Sequence, residues 1–151
     1  QSSPVLPPAL RNRLQVTQQC RPEDLDAVRA RYANHDIPAE LGTYFEDMHE
    51  RLAGAHLFIG RAGASTIAEL TAVGRPAILI PLPIATDDHQ AANCREIVNA
   101  GGARAEQRNP GGPRAGRLAK TAREIILRTH GLPHIRDRIV LCDQYSVARH
   151  R

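Results

Sequence analysis

Residues 55–93, AHLFIGRAGASTIAELTAVGRPAILIPLPIATDDHQAAN, decide the fold. They read in order as strand, tight Gly/Ala/Ser turn, short helix, strand, polar loop and the start of a second helix. HLFI (56–59) and AILIP (77–81) are compact apolar runs, the second nearly free of polar residues, as in a strand covered by helices on both faces. The helical pattern over 66–73 closes at Gly74, with Pro76 just beyond. A second helix is predicted from about 88 to 100, ending at Gly101-Gly102. Strands and helices alternating at these lengths specify a parallel, right-handed βαβ sheet. That order points two successive helix N-termini at the same sheet edge. Unpaired amides at such termini carry partial positive charge, so the edge suits a phosphate or pyrophosphate.

Working outward, residues 14–18 (LQVTQ) predict a short strand. Arg21-Pro22-Glu23-Asp24 opens a helix whose stripe of Leu25, Val28 and Tyr32 runs to about Asn34. Residues 37–41 and then Tyr44-Phe45 suggest a strand ending in a loop, and Glu46-Asp47-Met48 starts a short helix carrying Leu52 inward. After Arg104 the pattern degrades. Asn109-Pro110-Gly111-Gly112-Pro113 is turn-rich, residues 118–128 predict one amphipathic helix, and 130–151 show too little periodicity to assign. The division expected is a poorly defined segment 1–13, an α/β domain 14–104 and a basic tail 105–151.

A chain of 151 residues is one domain by length and can bury a sizeable core. Aromatics make up 3%, so that core must be Ala, Val, Ile and Leu. Cys20, Cys94 and Cys142 are widely spaced and odd in number, which predicts reduced thiols in a cytosolic protein rather than a disulfide framework or structural zinc. His130 and His134 are four apart, but Gly131 and Pro133 argue against a helical metal pair. Apolar runs fall far short of the ~20 residues that span a bilayer. No signal layout opens the sequence, so a soluble, unexported protein is expected. The net charge of +4 is uneven: residues 1–102 hold nine Lys/Arg against twelve Asp/Glu, and 103–151 hold eleven against four. A solvated or poorly folded end is the favoured reading of that tail over a polyanion-binding or membrane-surface arm. No aromatics interleave with its arginines, so no nucleic-acid partner is expected.

Gly60-Arg61-Ala62-Gly63-Ala64-Ser65 lies between strand and helix, where an α/β ligand site belongs. Gly63 lets a ligand approach the backbone, and Ala64, Ser65 and Thr66 can present N–H groups. The loop is neither a Walker A sequence nor a full G-x-G-x-x-G fingerprint, and an ordinary tight turn explains it equally well. Glu69 can accept both hydroxyls of a ribose, or, since Thr66-x-x-Glu69 is a capping box, be tied back to the backbone. His89, Gln90 and Asn93 can meet sugar hydroxyls, while Asp87-x-x-Gln90 again permits a cap. Arg61 can offset phosphate charge or solvate a loop, and Phe45 and Met48 can cover a flat base or fill core. Asp24-Leu25-Asp26 reads as helix-start acids, so no protein-held metal is assigned.

Taken together, G-R-A-G-A-S-T-x-x-E-L (60–70), G-R-P-A-I-L-I-P-L-P (74–83) and D-D-H-Q-x-x-N (87–93) resemble the C-terminal donor-binding domain of the MurG family. These are the UDP-N-acetylglucosamine:N-acetylmuramyl-(pentapeptide) pyrophosphoryl-undecaprenol N-acetylglucosaminyltransferases of bacterial peptidoglycan synthesis. The resemblance covers roughly residues 14–104. It implies a Rossmann-like α/β domain, a parallel sheet with helices on both faces, forming the C-terminal half of a GT-B glycosyltransferase. It also implies roles: the Phe45 backbone reading uracil with Met48 beside it, and Arg61, Gly63 and Ala64 lining the donor loop, the Ala64 amide reaching the sugar, with Ser65 among the substrate-binding residues. Thr66 would lie near the pyrophosphate, Glu69 would hold the ribose, and His89 (Gln in many relatives), Gln90 and Asn93 would contact N-acetylglucosamine.

Two departures accompany the resemblance. The family's first strand with its G-G-S-x-G-A loop is missing, as is the N-terminal acceptor domain that supplies the catalytic base, so no catalytic residue is assigned within this chain. The implied function is the UDP-GlcNAc-binding part of an inverting transferase that converts lipid I to lipid II, with no cofactor. The acceptor would be undecaprenyl-linked muramyl-pentapeptide, and the location peripheral on the cytoplasmic face of the inner membrane. The alternatives are another GT-B enzyme using a different UDP-sugar and a non-catalytic binding module.

Overall fold

The apolar runs become strands of one parallel sheet in the computed structural model, which describes residues 8–80, 88–105, 121, 124 and 137–142. The strands are β1 (Leu14–Gln19), β2 (Ala39–Gly42), β3 (Leu57–Gly60), β4 (Ala77–Leu79), β5 (Ala103–Ala105) and β6 (Asp137–Cys142). Their spatial order is β2-β1-β6-β3-β4-β5, and each neighbouring pair is parallel. The helices are α1 (Pro8–Arg11), α2 (Leu25–Ala33), α3 (Met48–Ala53), α4 (Ala64–Val73) and α5 (Asp88–Asn99), with a 3-10 turn Pro22–Asp24 leading into α2. Gly74 ends α4 in the left-handed region at φ +62°, its amide donating to the Leu70 carbonyl, as the Gly-x-Pro signal predicts.

Alternation along the strands sends side chains to two cores. One face gathers Leu14, Leu57, Ile59, Ile78 and Ile139. The register carries Gln18 to that same face, where its side-chain oxygen accepts a 2.6 Å bond from the Tyr32 hydroxyl of α2. On the other face Phe58, Ala77, Leu79 and Val140 meet Leu52 of α3, Leu70 of α4 and Cys94 of α5. Helices therefore cover both faces, as expected. Each fully buried Phe58, Leu52 or Leu70 contributes roughly 1.5–3 kcal/mol by leaving water.

β6 lies within the segment read as a basic tail, and it occupies the middle of the sheet. The boundary expected at residue 104 does not hold for the sheet. The physical reason is that a central strand buried on both faces needs only a brief apolar run; IVLC, preceded by Arg136-Asp137-Arg138, shows no alternation to detect. β5, three residues around an exposed Arg104, was equally silent. No strand precedes β1 among the described residues. Of the helix expected over 118–128 only Thr121 and Glu124 are described, both helical; the 109–113 turns, His130 and His134 lie outside the described residues.

Two glycines carry different constraints. A Cβ on Gly60 would stand 2.6 Å from the Phe58 ring and 2.7 Å from the Cys142 carbonyl oxygen of β6. A Cβ on Gly63 would meet only the Thr66 hydroxyl, at 3.8 Å, and Gly63 has an ordinary φ of −66°. Gly60→Ala should thus destabilise the fold by about 1–3 kcal/mol through overpacking. Gly63→Ala should cost under about 1 kcal/mol, because the lost N-cap preference is offset by a less flexible unfolded chain. Urea unfolding of both variants checks this, and equal midpoints would contradict it.

Candidate functional site

Parallel pairing brings the C-terminal ends of all strands to one edge, so loop 43–47 after β2, loop 61–63 after β3 and the start of α5 gather there. The first helical bond of α4 runs from the Ile67 amide to the Gly63 carbonyl, 3.0 Å. The amides of Ala64, Ser65 and Thr66 precede it and are outside the helix ladder. Their N-cap, Gly63, has no side chain to cap them, and no side-chain cap bond is made. The positive end of α4 therefore opens onto the strand edge.

This start also separates the two readings of Glu69. α4 begins at Ala64, two residues ahead of the Thr66 start expected, so Thr66 sits inside the first turn and cannot cap it. The Thr66–Glu69 capping box does not form. Glu69 is exposed, and among the described residues its carboxylate makes no hydrogen bond or ion pair. Arg61 is half-buried in the turn that leads into this helix.

The second helix meets the same loop. Asn93, half-buried in the second turn of α5, donates from its side-chain amide to the Ala62 carbonyl at 3.5 Å. Ile67 and Leu70 of α4 pack in one core with Cys94, Ile97 and Val98 of α5. Ser65 and Gln90 thus belong to adjacent helices that rise from one edge. Gln90 is half-buried and His89 exposed, while Asp87 lies outside the described residues, so its box with Gln90 stays open.

Phe45 and Met48 reach this edge from the far side of the sheet. Loop 43–47 leaves the outer strand β2 and returns over the sheet to α3, whose Leu52 shares a core with Leu70 of α4. Met48 packs against that core, so its side chain is at least partly structural. The Phe45 ring lies over Gly42 and carries the Arg51 guanidinium 4.3 Å from its centroid. One face of the ring is thus engaged within the protein.

Arg51 is a residue that sequence reading missed. It grips Glu40 through two bonds of 2.7 and 2.9 Å and Asp47 through one of 2.8 Å, which braces the loop holding Phe45. The one available signal was the i,i+4 pair Asp47–Arg51. Hydrogen bonding to Arg51 holds both carboxyls below their usual range. Burial pushes the Cys20 and Cys94 thiols up, so neither is a ready nucleophile. Asp26 of the Asp-x-Asp run pairs with Arg29 at 3.1 Å. Among the described residues no three His, Cys, Asp or Glu cluster as metal ligands, and no helix is long and apolar enough to cross a membrane.

A parallel sheet in this strand order, with helices on both faces and helix starts at its carboxyl edge, defines a Rossmann-like α/β domain. The family model described as glycosyltransferase family 28 C-terminal domain matches residues 4–126, and the chain belongs to that family. It is 73% identical over 128 residues to a UDP-N-acetylglucosamine--N-acetylmuramyl-(pentapeptide) pyrophosphoryl-undecaprenol N-acetylglucosamine transferase of Novosphingobium aromaticivorans, covering 85% of this chain and 32% of that protein. Against the protein of the same name from Erythrobacter litoralis it is 85% identical over 100 residues, 66% of this chain and 25% of the other. The fold also matches the crystal structure of Acinetobacter baumannii MurG, with a TM-score of 0.66 and 30% identity over 87% of this chain and 40% of that one. The chain spans about a quarter to a third of the length of these curated relatives.

Depressed carboxyls stabilise the fold at pH values above their unfolded pKa, and that contribution is lost as pH falls through their lowered folded values. The native chain should therefore lose stability on acidification below about pH 5, in part through Glu40 and Asp47. Arg51→Met should be less stable at neutral pH and show a shallower loss on acidification. Urea midpoints at several pH values measure both; parallel curves for the two proteins would contradict the role given to Arg51.

Proposed function

We propose that this chain is the donor-binding half of an inverting glycosyltransferase, and that UDP-N-acetylglucosamine is the nucleotide sugar it holds. The observation that carries this reading is the start of α4. Three amides outside the helix ladder and the unengaged Glu69 carboxylate lie within two turns of each other, beside the Asn93–Ala62 contact. The amides would accept the diphosphate, Glu69 the ribose hydroxyls, and the start of α5, with His89, Gln90 and Asn93, the sugar. The braced backbone at Phe45 would read the uracil edge. In the reaction, a base removes a proton from an acceptor hydroxyl, which attacks the anomeric carbon as the nucleoside diphosphate leaves. The α4 amides would stabilise the negative charge that develops on the departing pyrophosphate.

The acceptor in this reading is taken from the names of the relatives. They describe transfer of N-acetylglucosamine to a muramyl-pentapeptide carried on pyrophosphoryl-undecaprenol. By that kinship the whole protein would convert lipid I to lipid II at the cytoplasmic face of the inner membrane. The acceptor site and the base would come from sequence outside this chain, so the chain alone should bind donor without turnover. Titration calorimetry with UDP-N-acetylglucosamine tests the reading: Glu69→Ala should weaken binding by about 1.5–3 kcal/mol, the worth of hydrogen bonds to a charged group. Affinity unchanged by the substitution would remove Glu69 from the site, and tighter binding of UDP-glucose or UDP-galactose would favour a different sugar.

A further inference from the structure

The strand order β2-β1-β6-β3-β4-β5 has its central strand supplied last in the chain. A doubly wound sheet runs 3-2-1-4-5-6, with the central strand supplied first. The two orders coincide if β1 to β5 count as second to sixth and β6 takes the first place. The family match ends at residue 126, so β6 comes from sequence beyond it.

Among the described residues β6 is the one strand that pairs with both part-sheets, β2-β1 and β3-β4-β5. It pairs along its whole length with β1, from Leu14↔Asp137 to Gln19↔Cys142, and with β3 from Leu57↔Ile139 to Gly60↔Cys142. β1 and β3 do not pair with each other. Ile139 fills the core on one face and Val140 the core on the other, at 7% and 2% exposure. His56 clasps the first turn of the pairing: its amide donates to the Arg138 carbonyl at 2.8 Å, and its ring Nδ1 accepts from the Arg138 amide at 2.9 Å. Gly60 leaves room for the Cys142 carbonyl at the other end.

We propose that the seam between β1 and β3 is a strand-acceptor site, and that residues 137–142 are its exchangeable occupant. With β6 removed, the seam would present two open backbone ladders and two apolar troughs of opposite face. It fits a parallel strand with adjacent apolar residues pointing to opposite sides, as Ile139 and Val140 do. A chain carrying a strand ahead of β1 holds a competitor for the same place, so the two occupants exclude each other. The proposal concerns assembly of the sheet and stands whether or not the nucleotide reading does.

The test uses the full chain with a protease site inserted after Gly131. After cleavage and removal of residues 132–151 in urea, the remaining piece should lose its cooperative unfolding transition on return to buffer. A labelled peptide of residues 135–143 should restore that transition and bind at least about tenfold more tightly than the same peptide with Val140→Asp, which would bury a charge. A stripped chain that unfolds like the intact one, failure of the native peptide to restore the transition, or equal binding of both peptides would overturn the proposal.

Discussion

Parallel pairing makes every strand of this sheet end on one edge, and the rest of the molecule depends on that constraint. Because β3 and β4 are neighbours running the same way, the helices that follow them start side by side. The first amides of each helix have no partner within their own ladder, and at α4 the cap position is a glycine with no side chain to offer. The edge is thereby left as a concentration of donors with partial positive charge. A negatively charged group is the natural complement of such an edge.

The sheet that creates this edge is held at its centre by a strand from far along the chain. Pairing of β6 with both β1 and β3 aligns the end of β2, where Phe45 sits, with the end of β3, where α4 begins. Without a central strand the two halves of the site would have no fixed relation through the sheet. Arg51 makes the same link at finer scale, joining β2 through Glu40 to the Phe45 loop through Asp47 and the ring itself.

The βαβ unit of residues 55–93 was legible because its signals are local: apolar runs, a Gly-rich turn, and Gly74 and Pro76 closing the helix. The same locality explains what was not legible. Thr66 and Gly63 are both competent to begin α4, and spacing cannot rank them, whereas the folded helix takes the earlier start and frees Glu69. β6 was hidden because four apolar residues among charges carry no period, and its placement follows from contacts with β1 and β3, more than seventy residues earlier in the chain. Part of the tail is likewise structural: Arg138 lies in β6, and Glu124 pairs with Arg104 of β5 at 3.1 Å. The stacking of Arg51 on Phe45 is a tertiary fact that only the i,i+4 half of the network announced.

The central claim is that the amides opening α4 receive the diphosphate of a nucleotide sugar. Amide chemical shifts of the isotope-labelled chain, followed during titration with UDP and separately with uridine, address it directly. The account predicts that Ala64, Ser65 and Thr66 shift strongly with UDP and little with uridine, while the Phe45 amide responds to both. Shifts at those three residues that uridine reproduces, or a UDP response that leaves them untouched, would contradict it.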